Sequence, residues 1–135
     1  MGLIEEVGTY VDSNSTRFAL GTSLFLNLLP DGSTVAATAA AIIETGGSPA
    51  VHTIGGSTRP SWEIARVQVL CRSTSPVTAR ANADAAWTIL EGVQNQALSG
   101  TTYMRISTMQ PPFLAWRDDR ERPVFAFNAE CWRRR

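Results

Sequence analysis

Apolar residues recur at helical spacing through Leu3, Ile4, Val7, Tyr10 and Val11, so residues 2–13 read as an amphipathic helix. Gly8 costs that helix about 1 kcal/mol relative to alanine. The polar run Asp12-Ser13-Asn14-Ser15 ends it. Leu24–Leu29 reads as a strand closed by Pro30-Asp31-Gly32-Ser33. Proline presets φ there, and the Asp-Gly pair tolerates positive φ. Ala36–Glu44 follows as the hairpin partner, ending at Gly46-Gly47. Its alanines favour helix, but Ile42, Ile43 and the preceding turn favour strand. Residues 45–61 carry Gly46-Gly47, Pro49, Gly55-Gly56 and Pro60 and read as a long loop, with room for a short strand at Val51–Ile54.

Trp62–Arg72 alternates strongly, with Ala65, Val67, Val69 and Cys71 on one face. Arg66, Gln68 and Arg72 share the other face with Ile64 and Leu70. That half-polar face fits either solvent or the surface of another subunit. Ser73-Thr74-Ser75-Pro76 then opens the longest helix, with a serine or threonine cap before proline. Ala79, Ala83, Ala86, Trp87, Leu90, Val93 and Ala97 form its apolar stripe, which predicts a helix to Leu98, stopping before Ser99-Gly100.

The last third reads as strand, charged turn, strand: Thr101–Ser107, then Gln110–Pro123 with its charged run Arg117-Asp118-Asp119-Arg120-Glu121-Arg122, then Val124–Trp132. In the final strand Phe125, Phe127, Ala129 and Cys131 face one way, and Ala126, Asn128 and Glu130 the other. The expected fold is α+β in one domain over residues 1–135. It has a single mixed, mainly antiparallel sheet, with an N-terminal helix and one long central helix packed on it. A crossover through the long helix that joined strands in parallel would be right-handed.

Composition narrows the function. The 18% share of charged residues is low and the 44% apolar share ordinary. The 12 basic residues balance 12 acidic ones, and all 12 are arginines. Zero net charge argues against a dedicated nucleic-acid binder. Arg133-Arg134-Arg135 reads as a solvated basic tail. Cys71 and Cys131 sit on apolar strand faces without metal spacing, as buried free thiols of a protein kept in a reducing cytoplasm. No apolar run is long enough for a membrane span. The lone histidine, His52, lacks an identifiable acid partner and reads as an ordinary loop or strand residue. No GxSxG, phosphate loop or metal cluster occurs, so no catalytic residue, metal ligand or cofactor is expected.

Three segments in order resemble the tail-terminator, or minor capsid, family of long-tailed bacteriophages. They are Ala65–Arg72; the helix Ala79–Gly92 with Ile89-Leu90-Glu91-Gly92 near its end; and Pro112–Asp119 followed by Arg122–Asn128. Ala115 stands where the family usually has glycine. The resemblance implies a small α+β protein forming a ring, typically of six subunits, on the end of the completed tail tube. That ring stops tube polymerisation and offers a head-joining surface. The implied partners are further copies of the chain, the major tail tube protein and a head-completion or connector protein. Genomic DNA only passes through the lumen, and no membrane is involved.

A ring needs one patch to meet a different patch on the next subunit. Arg66, Gln68 and Arg72 are candidates for that interface. Arg117, Asp118, Asp119 and Arg120 form either a solvated hairpin tip or inter-subunit ion pairs. The loop bearing Gly46, Gly47, His52, Gly55, Gly56 and Arg59 is the candidate contact with the tube. Two rival readings differ in partner: another head–tail connector component, such as a head-completion or stopper protein, and a small cytoplasmic ligand-binding domain.

Overall fold

The computed structural model describes residues 2–30, 36–51 and 62–134. Helix α1 (Leu3–Ser13) is followed by strands β1 (Leu24–Leu26), β2 (Ala39–Val51) and β3 (Trp62–Arg72). Helix α2 (Pro76–Glu91) then leads to β4 (Gln94–Leu98), β5 (Thr101–Thr108), β6 (Phe113–Arg117) and β7 (Pro123–Arg134). The strands form one mixed sheet in the order β1-β2-β3-β7-β5-β4, with β6 paired to β7 beyond the end of β5. This is the expected α+β fold with an N-terminal and a central helix.

Both helices lie on one face. There α1 packs on β1 and β2, and α2 on β3, β5 and β7. The apolar stripe of α1 supplies Val7 and Val11, and α2 supplies Ala83, Ala86 and Leu90. These meet Val67, Val69 and Cys71 of β3 and Phe127, Ala129 and Cys131 of β7. A fully buried side chain such as Phe127 or Leu90 contributes about 1.5–3 kcal/mol. The small alanines of α2 let its backbone approach the sheet closely. A second, smaller core of Ala41, Leu70, Val124 and Ala126 occupies the opposite face near the Arg72 end of β3.

Several elements match their sequence signals. The bounds of β3 coincide with the alternating run. Ser75 caps α2 by accepting from the amide of Thr78 at 3.4 Å, with Pro76 in the first turn. Others differ. β1 ends at Leu26 rather than Leu29, where Asn27 turns to φ 61° and gives its amide to Ile42 O. The expected hairpin of β1 with β2 is instead a parallel pair, Leu24 opposite Ala40 and Leu26 opposite Ile42. Part of the connection, residues 31–35 with the Asp-Gly turn, lies outside the described residues.

β2 also does not stop at Gly46-Gly47. It runs on antiparallel to β3 through two register shifts, between Glu44 and Gly46 and between Ser48 and Val51. Gly46 takes φ 96° at the first, a backbone state that favours glycine. At Gly47 a side chain would start 2.1 Å from Ile64 O, so only glycine fits against the neighbouring strand.

α2 stops at Glu91, not Leu98. Val93 and Ala97 keep helical spacing, but Gly92 ends the helix and residues 94–98 pair with β5 through a turn at Ser99-Gly100, both at positive φ. Ala97 is accordingly exposed. The pairs β3–β7, β7–β5 and β5–β4 are all antiparallel, so the crossover through α2 joins β3 to an antiparallel strand.

Candidate functional site: the open sheet face and its edges

The face of the sheet away from the helices carries the even-numbered residues of β3. Residues directly opposite on neighbouring strands share a face, so Arg66 meets Glu130, Gln68 meets Asn128, and Ile64 meets Trp132. Arg66 Nη2 lies 3.2 Å from Glu130 Oε2 and 3.5 Å from Ser48 Oγ. Gln68 is half-buried between Ile43 and Asn128. Glu130 also accepts from the indole of Trp132 at 3.0 Å. Arg105 of β5 stacks over the Trp132 ring at 5.1 Å, and Arg134 over Trp62 at 5.9 Å.

Arg72, expected at a subunit interface, is a fold residue. It is 2% exposed, and its guanidinium donates to the carbonyls of Pro30 (2.6 Å), Ala36 (3.2 Å) and Ala37 (3.2 Å). A cation can be buried there because the crossing segment turns its carbonyls inward.

The β6–β7 turn is organised from within. Asp118 accepts from the amides of Arg120 (3.0 Å) and Arg122 (2.9 Å) and from Arg122 Nε (2.7 Å). Burial pushes its carboxyl up, but those bonds and the Arg122 charge outweigh burial and hold it below the usual range. Asp118 is therefore tied to its own turn. Asp119 and Arg120 are exposed, and Arg117 donates to Glu121 O at 3.0 Å. Gly46 and Gly47 lie in strand β2 rather than in a loop; His52, Gly55, Gly56 and Arg59 lie outside the described residues.

Arg133 overturns the expectation of a solvated tail. It lies in β7, with Nε 2.8 Å from Glu6 Oε1 and Nη1 3.0 Å from Glu63 Oε2. Glu6 is 1% exposed and also accepts from Tyr103 Oη at 2.8 Å and from the Thr101 hydroxyl. Burial pushes Glu6 up, but Thr101, Arg133 and Tyr103 hold its carboxyl below the ordinary value of 4.5. Burial and the Glu6 carboxylate push the Tyr103 hydroxyl far upward. The cluster anchors α1 to the sheet. Both partners carried a signal: Glu6 sits between Leu3 and Val7 on the apolar stripe, and Arg133 extends the inward alternation Phe127, Ala129, Cys131.

β6 was also missed as a separate strand. It borders β7 on one side, and among the described residues its other edge has no strand partner. Phe113, Leu114 and Trp116 are 40%, 51% and 44% exposed along it. Pro111 and Pro112 interrupt the run between β5 and β6, and so keep β6 apart from its predecessor. The three side chains together leave an exposed apolar strip along this edge strand.

Among the described residues no group of three or more His, Cys, Asp or Glu is arranged to hold a metal. Among them, no helix is long and apolar enough to cross a membrane. Cys71 and Cys131 are free and buried, and burial pushes both thiols up to about 12, with Glu130 adding to the effect at Cys131.

Comparison with known proteins agrees with this architecture. A family described as "Bacteriophage tail terminator protein" matches residues 3–133. No curated protein matches the chain. Among solved structures, a chain from "Virion of native gene transfer agent (GTA) particle" is similar over 98% of this chain and 95% of its own. Its TM-score is 0.71 at 15% identity, a likeness of fold. The match across residues 3–133 places the chain in the bacteriophage tail terminator family, as a structural protein of the virion tail.

Proposed function

We propose that the chain closes into a ring, of six subunits as its family resemblance implies, on the end of the tail tube. The ring halts tube polymerisation and offers its far side to a head-completion or connector protein. Genomic DNA passes through the lumen, and the protein performs no catalysis. Beyond family membership, the supporting observation is the β6 edge: three large apolar side chains exposed on a strand with one side unpaired among the described residues. A monomer gains nothing from that exposure, whereas a neighbouring subunit would bury it. The connection bearing His52, Gly55, Gly56 and Arg59 is the segment we assign to the tube protein.

The test is to polymerise purified tail tube protein with and without this chain and image the products. The reading predicts tubes arrested at a short length, with a ring of extra density at one end. Tubes that grow to the same lengths with the chain present overturn it.

A further inference from the structure

Two apolar rows cross the sheet from β6 to β1. Phe113 lies opposite Ala126, Ala126 opposite Leu70, Leu70 opposite Ala41, and Ala41 opposite Phe25. Residues opposite one another share a face, so this row lies on the face away from the helices. In the adjacent row Leu114, Phe125, Cys71, Ala40 and Leu24 stand opposite one another in turn, on the helix face. Neither row contains a polar residue. At this level, among the described residues, β6 and β1 are the two outer strands. Four strand spacings, about 19 Å, separate them.

Both margins leave large apolar side chains in solvent. On β6 these are Phe113 and Trp116 on one face and Leu114 on the other. On the β1 side they are Leu20, 38% exposed, and Leu28, 62% exposed. Leu20 bridges Leu24, and its side chain lies with that of Leu26 over Gly8 of α1. Leu28 follows Asn27, where the chain leaves β1. The turn from Ala19 to Ser23 already engages the backbone of Leu24. Gly21 donates to Leu24 O at 2.8 Å, and Leu24 donates to Ala19 O at 3.0 Å. A joint at this margin is therefore made by side chains and not by a continued ladder. The edge at β4 differs. It carries Gln94, Asn95 and Gln96, and Asn95 kinks it at φ 46°. A polar, kinked edge discourages association.

We infer that the β6 margin of one copy packs on the Leu20–Leu28 margin of the next. The inference rests on the ring reading above and names its contact surfaces. Three arguments carry it. The first is chemistry: apolar side chains stand in water on both margins, and each margin can cover the other without desolvating a charge. The second is area. Phe113, Leu114 and Trp116 leave on the order of 300 Å² exposed, and the two leucines roughly 200 Å², the scale of the apolar centre of a contact burying about 800 Å² per partner. The third is level. The two margins face opposite ways at one height along the strands. A head-to-tail contact between them needs rotation about an axis parallel to the strands and little translation along it. That operator closes a ring, whereas an offset would build a filament.

Opposite charges placed on the two margins test this without another protein. Two variants are made, L114E/W116E and L20K/L28K, with folding checked by circular dichroism. If either fails to fold, the single variants L114E and L28K, at the most exposed position of each margin, carry the same test. Native mass is read at about 100 μM, well above the dissociation constant of an ordinary protein contact, and the particles are imaged by negative stain. The wild type gives rings. Each variant alone would have to bury unpaired charge at every joint, so its mass falls to the 14.6 kDa of one chain. Mixed in equal amounts, the two variants regain the ring. In an alternating ring every second joint sets glutamate against lysine, and the joints between are wild type.

Rings from either variant alone overturn the contact while leaving the ring reading standing, as does failure of the mixture to reassemble. If those rings of L114E/W116E also fail to arrest tube growth, the β6 margin serves the tube protein instead of a second copy. A wild-type chain that stays monomeric at this concentration overturns the contact too, and the tube-arrest assay alone then decides the ring reading.

Discussion

Arg133 Nε lies 2.8 Å from Glu6 Oε1, although 127 residues separate the two in the chain. The pair fastens the first helix to the last strand, and Tyr103, Thr101 and Glu63 complete the cluster. Glu6→Gln keeps the shape but removes the charge that Arg133 faces in a nearly closed environment. Breaking one side of a buried ion pair costs about 3–5 kcal/mol. The remaining bond to Glu63 places the expected loss at the lower end. Urea unfolding of the variant against wild type measures it.

The same cluster sets an acid dependence. The folded-state pKa of Glu6 lies below its ordinary value of 4.5. Its contribution is therefore complete above pH 4.5, and it is lost as pH falls through the depressed folded value. The stability gap between wild type and Glu6→Gln should be constant from neutral pH to about pH 5 and shrink in stronger acid. Asp118 shifts in the same direction and adds to the acid loss in both proteins. Urea midpoints at a series of pH values read the difference.

The two thiols should be silent while the chain is folded. Thiolate, not thiol, is the reactive form, and burial raises both Cys71 and Cys131 to about 12. At pH 8 a thiol reagent should label neither in native protein and both in denaturant. Fast labelling of native protein would contradict the burial.

Gly47→Ala should destabilise by about 1–3 kcal/mol, the usual range for forcing an extra carbon into filled space. The added carbon would start 2.1 Å from a backbone oxygen of β3, which no rotamer can relieve. Thermal melting gives the shift. Leu114→Lys, at a half-exposed position on β6, should change stability by no more than about 0.5 kcal/mol. A larger loss would mean that β6 is part of the core.

Local signals were enough where one face decided the structure. The alternation in Trp62–Arg72 placed β3 to the residue, and Ser75-Pro76 placed the start of α2. They were not enough where long-range pairing decided. Val93 and Ala97 keep the helical period, yet β5 offers residues 94–98 a ladder that a longer helix could not use. The hairpin expected after β1 failed because the segment after Asn27 crosses to the other face, where Arg72 binds its carbonyls. Alternation assigned Arg66 and Arg72 to one face correctly. It could not say that one would meet Glu130 at the surface while the other was buried against the carbonyls of Pro30, Ala36 and Ala37. The β6 edge stayed hidden because Pro111-Pro112 and the charged tip read as one long turn.

The strand made after all the others sits in the middle of the sheet. β7 lies between β3 on one side and β5 and β6 on the other, and it also holds α1 through Arg133. While the chain is being synthesised, β3 and β5 have no common partner until residues 123–134 emerge. Their edges stay open for that interval, and the pairing that closes them spans most of the chain. Such non-local closure is slow, and open edges in a crowded cell invite aggregation. Union of the β1-β2-β3 and β4-β5 parts into one sheet is thus postponed until translation has passed Arg134, so a nascent chain stalled before β7 can hold those two parts but not the sheet that joins them.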